Sequence, residues 1–187
     1  MSNLQFDFVV YTGDPDAGAE SRSSREALAE PSVLPAEPWS EVYGAVVAHE
    51  GEKRRLDARP DPIFSLVTNL VKAVGYVIDG ETETVLLSES EHGFAIEPNG
   101  NDVIVSFFAG DAFEPEEFLL EPETLPMQAF AEQLLSMGER LRDLMKATDP
   151  EVFERDDYSK SLLEFLDEGR DRLKKLQLEM ERGLRVQ

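Results

Sequence analysis

The chain of 187 residues contains no cysteine and only two histidines, His49 and His92. The absence of cysteine excludes a disulfide framework, a thiolate zinc site and a cysteine nucleophile. A catalytic triad or a histidine-based zinc site needs several positioned partners, so each histidine is expected to be a turn or surface residue. No phosphate-binding loop, dinucleotide fingerprint, nucleophile elbow or H-E-x-x-H motif is present. We therefore expect a protein that is not an enzyme and that needs no cofactor.

Long apolar runs are also missing. No segment approaches the roughly 18 to 20 continuous apolar residues that a membrane span requires. Residues 1–10 lack a charged leading region, and Asp7 interrupts their apolar run, which favours a strand over a signal peptide. We expect a cytoplasmic protein that has no membrane partner.

Positive charge is absent from the middle of the chain. Residues 73–139 carry fifteen carboxylates and no lysine or arginine, and they supply −15 of the net charge of −21. A surface adapted to a high-salt cytosol is the alternative explanation, but such a surface would be acidic throughout, whereas residues 41–72 are neutral. The uneven charge favours one localised acidic face.

Basic residues form a single cluster, Lys53, Arg54, Arg55 and Arg59. Binding of a nucleic acid requires clustered cations that neutralise phosphates, and this cluster lies beside the acidic stretch. We therefore expect no direct nucleic-acid partner. The cluster is predicted to be a β-turn patch that partly neutralises the acidic sheet.

Apolar spacing predicts strands at 4–11, 41–49, 82–88, 93–97, 103–109 and 116–121. The pair Asn99-Gly100 is the strongest hairpin signal in the chain. A first helix is predicted after Asp61 as its cap, with Pro62 in the first helical position. A second helix covers 127–144, and a third follows residues 156–157, with Glu168/Arg172 and Asp171/Lys175 as i,i+4 ion pairs on its solvent side.

These elements predict an α+β fold with an antiparallel sheet of about five or six strands, one buried helix and a C-terminal pair of helices. We expect residues 1–187 to form a single α+β domain. Within it, 12–38 would be a long loop that could be mobile, with one short helix near 23–29, and 150–187 would be a C-terminal helical extension. The apolar seams of the last two helices would pack on the sheet, and a homodimer through these helices is the alternative.

Carboxylates in the acidic stretch recur at alternate positions, as Asp79/Glu81/Glu83, Glu89/Glu91 and Glu121/Glu123. In a strand this spacing returns side chains to one face about 6.6 Å apart, which would form a ladder of like charge. Candidate aromatic anchors among the charges are Phe94, Phe113 and Phe118, although core packing would also explain each of them. The carboxylates predicted to contact a partner are Glu81, Glu83, Glu89, Glu91, Asp111, Glu114, Glu116 and Glu117.

Two kinds of acidic active site were considered. Segments 14–20 and 111–117 offer oxygen ligands for calcium or magnesium, but neither has the ligand order of an EF-hand and both contain proline, so we expect solvated turns and no metal. Hydrolysis by paired carboxylates requires two groups with different pKa values in a cleft. Glu132 and Glu139 lie on the polar side of their predicted helix, so the signal for such a pair is absent.

Acidity without catalytic motifs predicts a non-catalytic binding protein that docks on and neutralises a basic protein partner. In size, acidity and α+β plan the chain resembles toxin immunity proteins, which block nucleases or other toxins, although it carries no family motif. The second hypothesis is a structural or adaptor subunit that oligomerises or docks on a larger assembly through its C-terminal helices. Salt-sensitive binding would favour the first hypothesis, because exposed charges are screened by salt.

Overall fold

In a computed structural model, residues 3–34, 38–111 and 114–183 are described, and they form two antiparallel sheets and five helices. The first sheet has the order β2-β1-β3-β4, with β5 paired to β3. Its strands are β1 (Leu4–Tyr11), β2 (Ser21–Ser23), β3 (Tyr43–Glu50), β4 (Lys53–Asp57) and β5 (Asp61–Pro62). The second sheet is a meander of β6 (Glu83–Leu86), β7 (His92–Asn99), β8 (Asp102–Gly110) and β9 (Pro115–Pro126).

The helices are α1 (Ser24–Ala29), α2 (Ile63–Ile78), α3 (Met127–Thr148), α4 (Val152–Arg155) and α5 (Asp157–Glu181). The predicted α+β class, with antiparallel strands, a buried helix and C-terminal helices, is confirmed. The strands differ from the prediction in forming two sheets, because α2 separates β5 from β6 and the chain resumes as a new meander. The sheets approach each other where Arg55 of β4 donates to Glu123 of β9 at 2.9 Å.

The hairpin signal at Asn99-Gly100 is confirmed. Strands β7 and β8 pair up to Asn99 opposite Asp102, so Gly100 and Asn101 form a two-residue loop. Gly100 has φ = 64°, a conformation that is open to glycine at no steric cost. The loop fixes the register of the second sheet, in which Val85, Phe94 and Phe107 occupy one row of the inner, buried face.

Helix α2 is apolar on most of its circumference because it lies between other elements. It contacts both sheets as well as α3 and α5. The predicted cap is wrong: Pro62 occupies the N-cap position, and no side chain caps the helix. Asp61 instead belongs to β5, where it pairs with Gly44, and its buried carboxylate accepts hydrogen bonds from the turn between β6 and β7.

Helix α3 packs on both sheets, as predicted, with Phe130 in edge-to-face contact with Phe6 of β1. Helix α5 packs on α2 and α3, so the prediction that its apolar seam would pack on the sheet is wrong. Glycines allow this close approach, since a Cβ at Gly138 would lie 2.6 Å from Val71 and one at Gly169 would lie 2.6 Å from Leu135. The apolar seam of α5 is therefore buried within the chain from Leu162 to Leu176.

Neither ion pair predicted within α5 forms: Arg172 contacts the end of α2, and Lys175 pairs with another residue of α5. Arg172 donates to the carbonyl oxygen of Gly75 at 3.1 Å and pairs with Asp79, where α2 ends and leaves carbonyl groups unsatisfied. Lys175 lies near Glu179 instead of Asp171. Arg172 pairs with Asp79 and not with Glu168 because the α2–α5 contact brings Arg172 to the C-terminus of α2.

The segment predicted as a long loop holds regular structure in its described part. Ser21–Ser23 pairs with β1, and Ser23 begins α1 with a capping box that involves Glu26. Two short 3-10 turns, Pro15–Ala17 and Pro31–Val33, flank these elements. The short helix predicted near 23–29 is confirmed, whereas residues 35–37 lie outside the described part of the chain.

One apolar core joins the sheets to the helices, and it extends in sequence from Leu4 to Leu176. A smaller cluster of Val9, Ala45 and Val47 lies on the opposite face of the first sheet, with Tyr11 packed against it. No helix within the described ranges combines the length and the apolar character needed to cross a membrane.

Candidate binding surface

Six of the predicted contact residues lie at one end of the second sheet. Glu89 and Glu91 belong to the turn between β6 and β7, and the amide of Gly110 at the end of β8 donates to the carbonyl oxygen of Glu91 at 2.8 Å. His92, Ala109 and Glu117 are neighbours across β7, β8 and β9. We call this cluster the acidic end; its carboxylates are Glu89, Glu91, Asp111, Glu114, Glu116 and Glu117, and all are exposed.

Glu81 and Glu83 lie away from this end. Glu81 follows α2, where its amide donates to the carbonyl oxygen of Tyr76, and Glu83 begins β6 opposite Ile96. The turn that holds Glu89 is at the other end of β6. The predicted set of eight is therefore divided between two parts of the surface.

The predicted charge ladders are mostly absent, because two of the three carboxylate groups are not in strands. Asp79 is the C-cap of α2, and Glu89 and Glu91 lie in a turn. Only Glu121 and Glu123 share a strand, and Glu123 is paired with Arg55. The carboxylates of the acidic end come together because the β6–β7 connection lies beside the β8–β9 connection, and not because they alternate along one strand.

A row of apolar residues borders the acidic end on the outer face of the second sheet. The register places Leu86, Gly93, Phe108 and Phe118 side by side across all four strands, and we call them the apolar row. Phe108 is fully buried there although it lies outside the main core, while Leu86 is 57% and Phe118 is 38% exposed. Leu86 and Phe108 pack over Gly93, where a Cβ would lie 2.9 Å from Leu86 and 3.0 Å from Phe108.

The predicted aromatic anchors separate into different environments. Phe118 is exposed in the apolar row, and Leu119 beside it is exposed as well. Phe94 is buried in the main core and stacks obliquely on Phe107, so its prediction as an anchor is wrong. Phe94 has the alternation of an inward-facing strand residue, and it lies in the main core on the face of β7 that packs toward α2. Phe113 lies outside the described residues.

Asp61 positions the turn that carries Glu89. One of its carboxylate oxygens accepts from the amide of Ser88 at 2.8 Å and from that of Glu89 at 3.1 Å, and the other oxygen has no partner. Burial raises the pKa of Asp61 above its ordinary value, and the two backbone hydrogen bonds oppose this. The sequence suggested a helix cap, and no local signal revealed this long-range role.

A cleft of about 610 Å³ separates the acidic end from the first sheet. Tyr11, Tyr43 and the turn before Pro15–Ala17 line one side, and Glu89, Ser90 and His92 line the other. The hydroxyl of Tyr43 donates to Glu89 at 2.6 Å. This bond to a carboxylate raises the pKa of Tyr43 to about 12. Burial raises the pKa of Tyr11. The sequence does not predict the cleft, because the two walls of the cleft are distant along the chain.

The basic cluster is a strand and not a turn, since Lys53, Arg54 and Arg55 all belong to β4. Arg55 contacts Glu50 and Glu123, and Arg54 contacts Asp57 at 2.7 Å. The expected contact with the acidic sheet is thus made by Arg55 alone among the ion pairs of the described chain. Arg59 lines the cleft and is exposed.

The acidic residues do not come together as a metal site in the described ranges. No group of three or more histidine, aspartate or glutamate side chains there could hold a metal ion. Segment 111–117 is described only in part. Glu132 and Glu139 both accept from Arg170 of α5, at 2.6 and 2.9 Å, so this carboxylate pair joins two helices.

Comparison of the chain with protein families, with curated proteins and with solved structures gives no match. The functional argument therefore rests on the geometry of the acidic end, the apolar row and the cleft.

Proposed function

We propose that this protein is a non-catalytic binding protein that docks on a basic protein partner through the acidic end and the apolar row. The main supporting observation is the register that sets exposed Leu86 and Phe118 beside carboxylates, in a stretch without lysine or arginine. Apolar anchors supply affinity in protein interfaces, and charged rims supply association rate and specificity. The two properties together fit a partner with an apolar pocket inside a basic surface.

Neutralisation of that partner is the form of action that we favour, in the manner of a toxin immunity protein. A sheet face that covers a basic active surface would exclude its polyanionic substrate by steric and electrostatic means. Such a protein would act in the cytoplasm and would not bind nucleic acid directly, since its own exposed charge is predominantly negative.

The experiment is capture of the partner from a lysate of the native host with three baits. The wild-type chain is compared with Glu116→Lys/Glu117→Lys and with a matched variant, Glu164→Lys/Glu168→Lys, which makes the same charge change on exposed positions of α5. We expect a basic protein to bind at about 50 mM salt and to dissociate at about 500 mM, because the Debye length shrinks severalfold. The first variant should lose it and the second should keep it.

A third variant separates the contribution of the apolar row to binding from the contribution of charge. Phe118→Ala removes the exposed ring, and we expect it to weaken binding by about tenfold or more through faster dissociation. Charge reversal should act mainly on the association rate. Equal capture by all three baits, or equal association rates for wild type and Glu116→Lys/Glu117→Lys at low salt, would refute the proposal. Reversal of Glu81 and Glu83 then tests whether the surface extends along β6.

An adaptor role through α5 is the second candidate, and one observation favours it. Leu178 and Met180 are 50% and 38% exposed near the end of α5, beyond its last fully buried leucine, Leu176. Deletion of 150–187 is unsuitable as a test because it would uncover the core. Leu178→Glu/Met180→Glu leaves the buried seam intact. Loss of an assembly on size-exclusion chromatography in this variant alone would support the adaptor role.

A further inference from the structure

The cleft beside the acidic end has the charge of a cation-binding site. Four carboxylates line it, and Arg59 is the one cation among its lining residues. None of the five takes part in a salt bridge within the described chain. The carboxylates are Asp14, Asp16, Glu41 and Glu89. At neutral pH the lining therefore carries an excess of three negative charges.

Two tyrosines give the cleft aromatic walls. The register of β1 and β3 ends at Val10 opposite Gly44, so the next residues, Tyr11 and Tyr43, lie side by side on one face of the first sheet. Tyr11 packs on the small apolar cluster of that face, which holds it in place. Aromatic faces attract cations, and a planar guanidinium also stacks on them.

Hydrogen bonding orients the carboxylate of Glu89 in the cleft. The hydroxyl of Tyr43 donates to one carboxylate oxygen of Glu89 at 2.6 Å, and the backbone amide of Glu89 donates to Asp61. The other carboxylate oxygen of Glu89 is left to accept from a ligand. A carboxylate that is fixed at both its backbone and its side chain loses little freedom when it binds.

Two polar atoms of the lining residues lack partners within the described part of the chain. They are Ser90 Oγ and His92 Nδ1, and both are buried. Buried polar groups are normally satisfied by a hydrogen bond, and leaving one unsatisfied is unfavourable. The wall of the cleft formed by Ser90 and His92 therefore holds hydrogen-bonding groups that the described chain does not satisfy.

We infer that the cleft binds a guanidinium group, and that its occupant in the complex is an arginine side chain of the basic partner. The source of that arginine rests on the proposed function, whereas binding of a guanidinium does not. The cleft volume of about 610 Å³ lies within the range of small-ligand sites. A guanidinium fits better than an ammonium because it is flat, stacks on tyrosine and donates to two acceptors at once.

The test uses small ligands in place of the partner. N-acetyl-arginine amide is titrated into the full chain carrying ¹³C-labelled tyrosine rings, and the signals of Tyr11 and Tyr43 are followed by NMR. N-acetyl-citrulline amide has nearly the same shape without the positive charge, and N-acetyl-lysine amide has the positive charge without a planar group. We expect saturable shifts at both tyrosines with arginine amide, a Kd on the order of millimolar, and at least fivefold weaker binding of the other two ligands.

Variants give effects of opposite sign. Glu89→Gln should weaken the binding of N-acetyl-arginine amide by about tenfold. Arg59→Gln should strengthen this binding by a few fold because a like charge is removed. Glu164→Gln, at an exposed position of α5 and outside the cleft lining, should leave the affinity unchanged. Equal binding of citrulline amide, equal binding of lysine amide, or insensitivity to Glu89→Gln would each overturn the assignment to a guanidinium.

Failure of this inference is distinguishable from failure of the proposed function. If arginine amide does not bind but the partner is lost on Glu116→Lys/Glu117→Lys, the docking surface holds and the cleft assignment falls. If arginine amide binds and no basic protein is captured, the cleft holds as a guanidinium site and the source of the arginine falls. Thermal unfolding of each variant confirms that the fold is kept.

Discussion

The hydrogen bond between Tyr43 and Glu89 can be tested without any partner. Glu89 accepts from the hydroxyl of Tyr43 at 2.6 Å, and the pKa of Tyr43 is raised from 10.0 to about 12. At pH 11, ~90% of Tyr43 should then be protonated, whereas a free tyrosine would be ~10% protonated. Glu89→Gln keeps an acceptor but removes the negative charge, so the pKa of Tyr43 should fall back toward 10.

The assay is a pH titration of ¹³Cζ-labelled tyrosine by NMR between about pH 8 and pH 12.5, around the ordinary tyrosine value. Glu91→Gln is the matched control, since it removes one carboxylate from the same turn without touching Tyr43. The folded-state pKa is raised, so the bond stabilises the fold fully below pH 10, and this contribution is lost as the pH rises toward 12. Glu89→Gln should therefore reduce the alkaline loss of stability.

The reasoning would be refuted by a wild-type Tyr43 that titrates near pH 10. It would be refuted equally by a raised pKa that is unchanged in Glu89→Gln, since another group would then be responsible. Either result would remove the fixed Glu89 on which the cleft argument depends.

Three further predictions concern the frame that supports the surface. Gly138→Ala should lower the free energy of unfolding by about 1 to 2 kcal/mol in urea, because its Cβ would meet buried Val71 at 2.6 Å and overpacking exceeds the gain in helix propensity. Gly75→Ala is its control; its Cβ would meet only the flexible Arg172 side chain at 3.2 Å, so stability should hold or rise, and equal losses in both would contradict the packing argument. Asp61→Ala should speed hydrogen exchange at the amides of Ser88 and Glu89, whereas Asp61→Asn should preserve their protection. Burial raises the pKa of Asp61, so the charged form is disfavoured in the fold. The free energy of unfolding of Asp61→Asn relative to that of wild type should therefore be higher at pH 7 than at pH 3. The opposite trend would be inconsistent with that burial. Arg55→Gln should lower the free energy of unfolding only slightly, and this loss should shrink at high salt and in a Glu123→Gln background; an undiminished effect would mean that the ion pair is not its cause.

The local parts of the fold could be predicted from the sequence because local physics decides them. The alternation in β7 and β8 and the glycine at position 100 specify the hairpin, and the 3-4 spacing in α3 specifies its buried seam. The division into two sheets could not be predicted, because it depends on how α2 packs between them. Asp61 shows the same limit: the pair Asp61-Pro62 suggested a helix cap and a helix start, but the hydrogen-bond partners of Asp61 are 27 and 28 residues away.

The candidate surface was predictable in composition and not in arrangement. A stretch without lysine or arginine identified the acidic end, and Phe118 could be proposed as an anchor. The apolar row depends on a register that places residues 86, 93, 108 and 118 together, and irregular pairing of β8 with β9 makes that register unreadable from alternation alone. The cleft requires contact between the first and second sheets, which no local pattern encodes.

The burial of α5 against α2 also affects how the chain folds during its synthesis. Helix α2 ends at Ile78, and the leucines that cover it continue to Leu176, about 100 residues later. At roughly 5 to 20 residues per second, a ribosome needs about 5 to 20 s to make that interval. Throughout it, α2 has been translated while its covering helix does not yet exist. The nascent chain must therefore wait for its final helix before the core can close, and it is most exposed to aggregation and to chaperones in that interval.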